Sequence, residues 1–199
     1  MEKSLGETYW NNRYLQSQTG WDIGYPSTPL KTYIDQLNSK DLSILVPGCG
    51  NGYEVKYLLE QGFQHITAID IASALTANLE KKLQSFTNKE LTIITGDFFT
   101  LTGCYDLILE QTFFCALDPV LRIAYARKMQ ELLQPNGLLA GVLFNRDFDG
   151  GPPFGGSREN YELLFAPFFR IKKMEMCYNS IDSRKKTELF IILEARPHQ

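Results

Sequence analysis

Ile44-Leu45-Val46-Pro47-Gly48-Cys49-Gly50-Asn51-Gly52-Tyr53-Glu54 is an apolar run that stops at a glycine-rich bend and passes into a helical pattern. Strand, turn and helix in that order open a nucleotide-binding α/β domain, because small residues at the turn let backbone amides touch a ligand. The glycines at 48, 50 and 52 spell G-x-G-x-G, whereas the dinucleotide fingerprint G-x-G-x-x-G needs a glycine where Tyr53 stands. Asp70 follows Gly50 by twenty residues, at the end of a second strand-like run, Ile66-Thr67-Ala68-Ile69. One βαβ crossover fits that interval and puts a carboxylate where both hydroxyls of a ribose can donate to it.

The missing third glycine weakens the case for a pyrophosphate cradle. S-adenosylmethionine (SAM) carries no phosphate, and a glycine bend lets its methionine and ribose part lie flat against main chain. An ordinary strand-to-helix turn with a surface aspartate is the plain alternative.

The chain of 199 residues, 44% hydrophobic and 22% charged, is long enough for one domain with a real core and has no apolar run that could span a bilayer. Its net charge of −3 supplies no field for nucleic acid or anionic lipid, so a small-molecule partner is expected. Arg184-Lys185-Lys186 is the one basic cluster and reads as a solvated turn. Cys49, Cys104, Cys115 and Cys177 are scattered without C-x-x-C spacing, which argues against a metal site or disulfide framework and for a reducing compartment. Residues 1–7 lack the basic-then-apolar order of a signal peptide, so a cytoplasmic location is expected; separately, the protein is expected to be a monomer.

Along the chain, residues 5–17 form a helical pattern, followed by an ordered loop through Trp21 to Pro29 and a helix over Leu30–Asn38 capped by Ser27 or Thr28. Strands are expected at 43–46, 64–69, 91–94, 105–109 and 138–144, with helices at 54–61, 73–85 and 118–133, and a tight turn at Gln134-Pro135-Asn136-Gly137. A loop over 147–156, a helix over 157–165 and two apolar strands at 169–176 and 189–193 complete the pattern. Alternating strands and helices imply a mostly parallel sheet with its ligand at the carboxyl ends of the strands. Gly48, Asp70, Asp97 and Glu110-Gln111 all fall at such ends; Asp97 suits an adenine amino group and Phe98 the base. The loop over 147–156 reads as a lid beside the site.

These residues resemble the thiopurine methyltransferase superfamily, most closely its plant halide and thiol methyltransferase branch. The resemblance runs through Trp10, Trp21-Asp22-Ile23-Gly24, Thr28-Pro29-Leu30, Val46-Pro47-Gly48-Cys49-Gly50, Asp70-Ile71-Ala72, Asp97-Phe98-Phe99, Phe113-Phe114-Cys115-Ala116, Arg122 and Gly150-Gly151-Pro152-Pro153-Phe154. It implies a single class I SAM-dependent methyltransferase domain over 1–199, Rossmann-like, with seven strands and an antiparallel last strand. Residues 1–38 would form an aromatic lid. Cofactor contacts implied are Trp10, Tyr14, Trp21, Gly48, Gly50, Gly52, Asp70, Ile71, Asp97, Phe98 and Gln111, the last standing where relatives carry arginine or tyrosine. Trp21, Tyr14, Arg122, Phe154 and Phe114 are implied on the acceptor side.

Methyl transfer from a sulfonium is an in-line displacement, favoured by a dry aromatic pocket that strips water from a soft anion. Aromatic faces also attract the sulfonium, which gives Trp10, Tyr14 and Trp21 a role beyond packing. The only histidines, His65 and His198, lie away from the strand ends, so no imidazole base is expected. Thiols, thiopurine-like thiols, bisulfide, thiocyanate and halides suit such a site. Methylation of a small oxygen or nitrogen acceptor, a catalytically silent SAM-binding module and a nicotinamide-dependent oxidoreductase are the rival readings.

Overall fold

The sheet is built from Ser43–Pro47 (β1), His65–Asp70 (β2), Leu91–Thr95 (β3), Tyr105–Gln111 (β4), Leu133–Phe144 (β5), Phe169–Met176 (β6) and Glu188–Ala195 (β7). The computed structural model describes residues 5–197, so the amino-terminal four residues, His198 and Gln199 lie outside it. Strand order is β3-β2-β1-β4-β5-β7-β6; β7 runs antiparallel to both neighbours and the other pairs are parallel. The central strands are apolar on both sides because both faces are covered. Leu45, Ile108 and Leu139 join one core cluster, while Ile44, Leu107 and Ala140 join the other.

Helices Glu7–Leu15 (α1), Thr28–Ile34 (α2), Tyr53–Glu60 (α3), Ser73–Lys82 (α4), Arg122–Glu131 (α5) and Arg158–Phe165 (α6) flank the sheet. No helix among the described residues is long and apolar enough to cross a membrane. The chain leaves β1 toward β2 and β3, then returns to place β4 on the other side of β1. A sheet whose order reverses in this way opens a crevice at the carboxyl ends of the two diverging strands, here those of β1 and β4.

Three local expectations are corrected. The stretch 134–137 is not a tight turn before the strand: β5 begins at Leu133, paired with Tyr105, and resumes regular register at Leu138 opposite Leu107. The intervening residues bulge outward, which accommodates both Pro135, with no N–H to give the ladder, and Asn136 at φ +64°. Ser27 does stand at the start of α2, but its hydroxyl makes no cap; its backbone N–H donates to Glu54 Oε1 at 2.8 Å. The long helix expected from Asp118 opens as a short 3-10 turn, Pro119–Leu121, before α5.

Candidate active site

Gly48, Gly50 and Gly52 all have positive φ, +55°, +52° and +72°. A Cβ on Gly48 would lie 2.4 Å from the Phe113 ring, and one on Gly52 2.5 Å from Leu79, so the bend is tight as well as left-handed. Asp70, only 8% exposed, holds this bend: its Oδ2 accepts from the Gly50 N–H at 3.1 Å and its Oδ1 from the Ala72 N–H at 2.9 Å. Burial raises its carboxyl above the usual range, opposed by these backbone donors.

The bend, the ends of β2, β3 and β4, and the amino-terminal segment enclose a cavity of about 480 Å³, a size suited to a small organic molecule. α1 reaches it by docking on the start of α4, where Asn11 Oδ1 accepts from the Ala74 N–H and Glu7 Oε1 from the Ser73 hydroxyl. Trp10 and Tyr14 each meet Trp21 edge-to-face, with centroids 5.6 and 5.8 Å apart. The loop carrying Trp21 is tied down twice. Asp22 accepts from the Asn51 side chain and from the Gly24 N–H, and Arg184 Nη2 donates to the Trp21 carbonyl at 2.8 Å.

Of the residues expected at the site, Trp10, Tyr14, Trp21, Gly48, Gly50, Asp70, Ile71, Asp97, Phe98 and Gln111 line this one cavity. Gln111 Oε1 is buried without a hydrogen-bond partner. Asp97 caps the 3-10 turn Phe98–Thr100 by accepting from the Phe99 N–H at 2.9 Å. Four expected residues stand outside the lining. Gly52 packs on Leu79 beneath the bend. Phe114 is fully in the core against Tyr125, Tyr161 and Phe165. Arg122 lies over the Phe114 ring and donates to the Gly155 carbonyl at 2.7 Å. Phe154 folds against Gly151 while its N–H donates to the Cys115 carbonyl, leaving Pro152 and Pro153 on the cavity wall.

Arg184 is the principal residue that the sequence conceals. It is no solvated turn residue: its side chain is 12% exposed, pairs with buried Glu188 at 3.5 Å and lies over the Phe144 ring at 5.6 Å. Phe144, Arg146 and Phe148 stand on the same wall, with the Arg146 guanidinium 4.6 Å from the Phe148 centroid. Glu110, at the end of β4 as expected, turns into the core. Its Oε1 accepts from the Phe113 and Phe114 N–H groups and its Oε2 from the Tyr125 hydroxyl.

Burial pushes Glu110 up to about 7 against the pull of those three donors, with Tyr125 and Cys115 the titratable groups beside it. The native chain therefore keeps a proton that the unfolded chain loses near 4.5, and this contribution to stability declines as pH rises from 4.5 through 7. The decline is worth up to about 3 kcal/mol, because each tenfold gain in proton affinity on folding corresponds to about 1.4 kcal/mol. Melting curves at constant ionic strength should show this downward slope in the wild type, and Glu110→Gln should remove that part of it.

A family model described as Thiopurine S-methyltransferase matches residues 5–195. The chain belongs to the thiopurine S-methyltransferase family. It is accordingly a SAM-dependent methyltransferase. Among relatives, thiocyanate methyltransferase 1 of Brassica oleracea is 34% identical over 194 residues, covering 94% of this chain and 85% of that protein. Probable thiol methyltransferase 2 of Arabidopsis thaliana is 33% identical over 162 residues, 79% of this chain and 71% of that one. The thiopurine S-methyltransferase of Acinetobacter baylyi is 26% identical over 192 residues, with 84% and 87% covered. The fold is shared with a Burkholderia thailandensis 1,6-didemethyltoxoflavin-N1-methyltransferase solved with S-adenosylhomocysteine. That match has TM-score 0.75 at 17% identity over 95% of this chain and 86% of that one. The resemblance of this family member to its relatives thus extends from the aromatic helix α1 to β7.

Proposed function

We propose that the cavity is the methyl-transfer site and that its acceptor is a small soft nucleophile: a thiol, a thiopurine-like thiol, bisulfide, thiocyanate or a halide. The residues present fit the donor. Asp70 keeps acceptor capacity beside the glycine bend, Gln111 offers an unpaired acceptor, and Gly48 and Gly50 leave main chain accessible. When bound, SAM supplies a methyl group activated by its sulfonium. Asp70 would accept from the ribose hydroxyls, Asp97 and Phe98 would hold the adenine, and Gln111 would accept from the ammonium. Trp10, Tyr14 and Trp21 keep water from the reacting end and present ring faces that favour a cation by about 0.5–2 kcal/mol.

The observation that carries the acceptor class is the composition of the cavity wall. Among the described residues it contains neither histidine nor lysine, and its carboxylates are engaged: Asp22 by Asn51 and Gly24, Glu54 by Ser27, Asp70 by Gly50 and Ala72, Asp97 by Phe99. A site without a free base suits a nucleophile that is already ionised, and Arg184 beside Phe144 gives an anion a partner. The names of the Brassica and Acinetobacter relatives support the same class.

Competition assays for methylated product should favour iodide, bisulfide, thiocyanate or aryl thiols over any alcohol or amine by at least about 100-fold in kcat/KM, because an alcohol or amine would need a positioned base worth ~100-fold or more. Turnover of oxygen or nitrogen acceptors alone would refute the proposal. The four cysteines are unpaired, which supports a reducing compartment, and we place the enzyme in the cytoplasm as a monomer acting on small molecules.

A further inference from the structure

Glu110 spends a carboxylate that touches neither solvent nor the cavity, at 0% exposure. Burying such a group is costly unless its bonds are needed, and an apolar side chain would serve the core at lower cost. Its partners show what the bonds do. β4 ends at Gln111, the chain turns through Thr112 at φ +57°, and a 3-10 turn follows over Phe114–Ala116. Glu110 Oε1 accepts from the first two free amides of that turn, Phe113 at 2.8 Å and Phe114 at 2.9 Å.

Gln111, Thr112, Phe113, Cys115 and Ala116 form one wall of the cavity, and the Phe113 ring fills the space over Gly48. One buried side chain thereby fixes the segment after β4 against the bend after β1, across the crevice where the sheet order reverses. The rest of the core is shaped to hold it. Tyr125 of α5 donates to Oε2, and Gly141 of β5 leaves room that a Cβ, 2.4 Å from the Glu110 Cβ, would fill.

We infer that Glu110 is a positioning residue for methyl transfer: by binding the Phe113 and Phe114 amides it holds the Gln111–Phe113 wall in register with the glycine bend, and so sets where the donor lies. The inference rests on the cavity being the donor site. It depends chiefly on an acceptor oxygen facing the two N–H groups: a neutral carboxyl or an amide oxygen still accepts from both, more weakly than a carboxylate does.

The test compares Glu110→Gln and Glu110→Met by calorimetric titration with S-adenosylhomocysteine, alongside melting temperatures. Glu110→Gln should keep affinity within about 3-fold of wild type, whereas Glu110→Met should lose about 10-fold or more while still melting cooperatively, the size expected when a supporting shell lets a site shift. Affinity unchanged in Glu110→Met overturns the inference, and so does a 10-fold loss in Glu110→Gln, which would mean that the charge acts on the donor directly. Should Glu110→Met fail to fold, amide exchange in the wild-type protein decides the matter. Slow exchange at Phe113 and Phe114 before any donor is added supports a wall set in advance, and fast exchange at both refutes it. Absence of S-adenosylhomocysteine binding by the wild type would instead defeat the donor site itself.

Discussion

Asp70→Ala is expected to weaken binding of SAM and of S-adenosylhomocysteine by about 100-fold or more, the largest single effect on donor affinity in the molecule. Each hydrogen bond to a charged group contributes about 1.5–3 kcal/mol, and this carboxylate can accept from two ribose hydroxyls while already holding the Gly50 and Ala72 amides. Alanine removes the ligand's acceptors and also the brace of the bend, so part of the loss would come from the glycine main chain drifting. Asp70→Asn separates the two contributions. Its remaining oxygen accepts from one partner while its amide group faces the others as a donor, so an intermediate loss is expected. Calorimetric titration of both variants, with melting curves to confirm folding, is the check; affinity for S-adenosylhomocysteine within about 3-fold of wild type in Asp70→Ala would show that the carboxylate only organises the turn.

The position of Asp70 is legible in the sequence because its reading needs only local information. An apolar run buried on both faces, a glycine bend, one crossover and a second apolar run leave the carboxylate at a strand end in any parallel arrangement. The same logic cannot orient Glu110. It too ends a strand, but β4 is apolar on both sides, so alternation cannot say that Glu110 shares a face with Ile108 toward Tyr125 while Gln111 follows Leu109 toward the cavity. Resemblance draws Arg122 and Phe114 to the acceptor side, yet they stack on each other in the wall behind it. Trp10, Tyr14 and Trp21 do gather at the cavity, but their anchors are hidden from a linear reading. Asn51, Ser73 and Arg184 come from three separate parts of the chain, and only tertiary folding brings them together.

Arg184 is the sharpest instance, because three adjacent basic residues between two strands have the composition of a solvated turn. What overrides composition is topology. β7 runs antiparallel beside β5, so the connection entering it lies at the same edge as the ends of the parallel strands, and the residue four before Glu188 lands over the cavity. Lys185 and Lys186 stay exposed as expected of such a turn. Arg184 alone meets three demands at once: it donates to the Trp21 carbonyl, neutralises Glu188 and shows a cationic face beside Phe144.

Arg184→Met should therefore lower kcat/KM for a thiol or thiocyanate by about 100-fold, since the anion would lose a charged hydrogen-bond partner contributing about 1.5–3 kcal/mol, with a smaller loss, about 10-fold, in affinity for S-adenosylhomocysteine through the released Trp21 loop. Stability falls as well, because Glu188, whose side chain is 5% exposed, is left without its cation and its carboxyl is already raised by burial. A second substitution separates folding from function. In Arg184→Met with Glu188→Gln no buried charge is stranded, so the melting temperature should return most of the way to wild type while turnover stays low. Turnover recovering together with stability would mean that Arg184 serves only to neutralise Glu188, and that closing the Trp21 loop and holding the anion fall to other groups. Persistent loss in a fully stable double variant would locate the anion's partner at this guanidinium, which touches the Trp21 loop, Phe144 and Glu188.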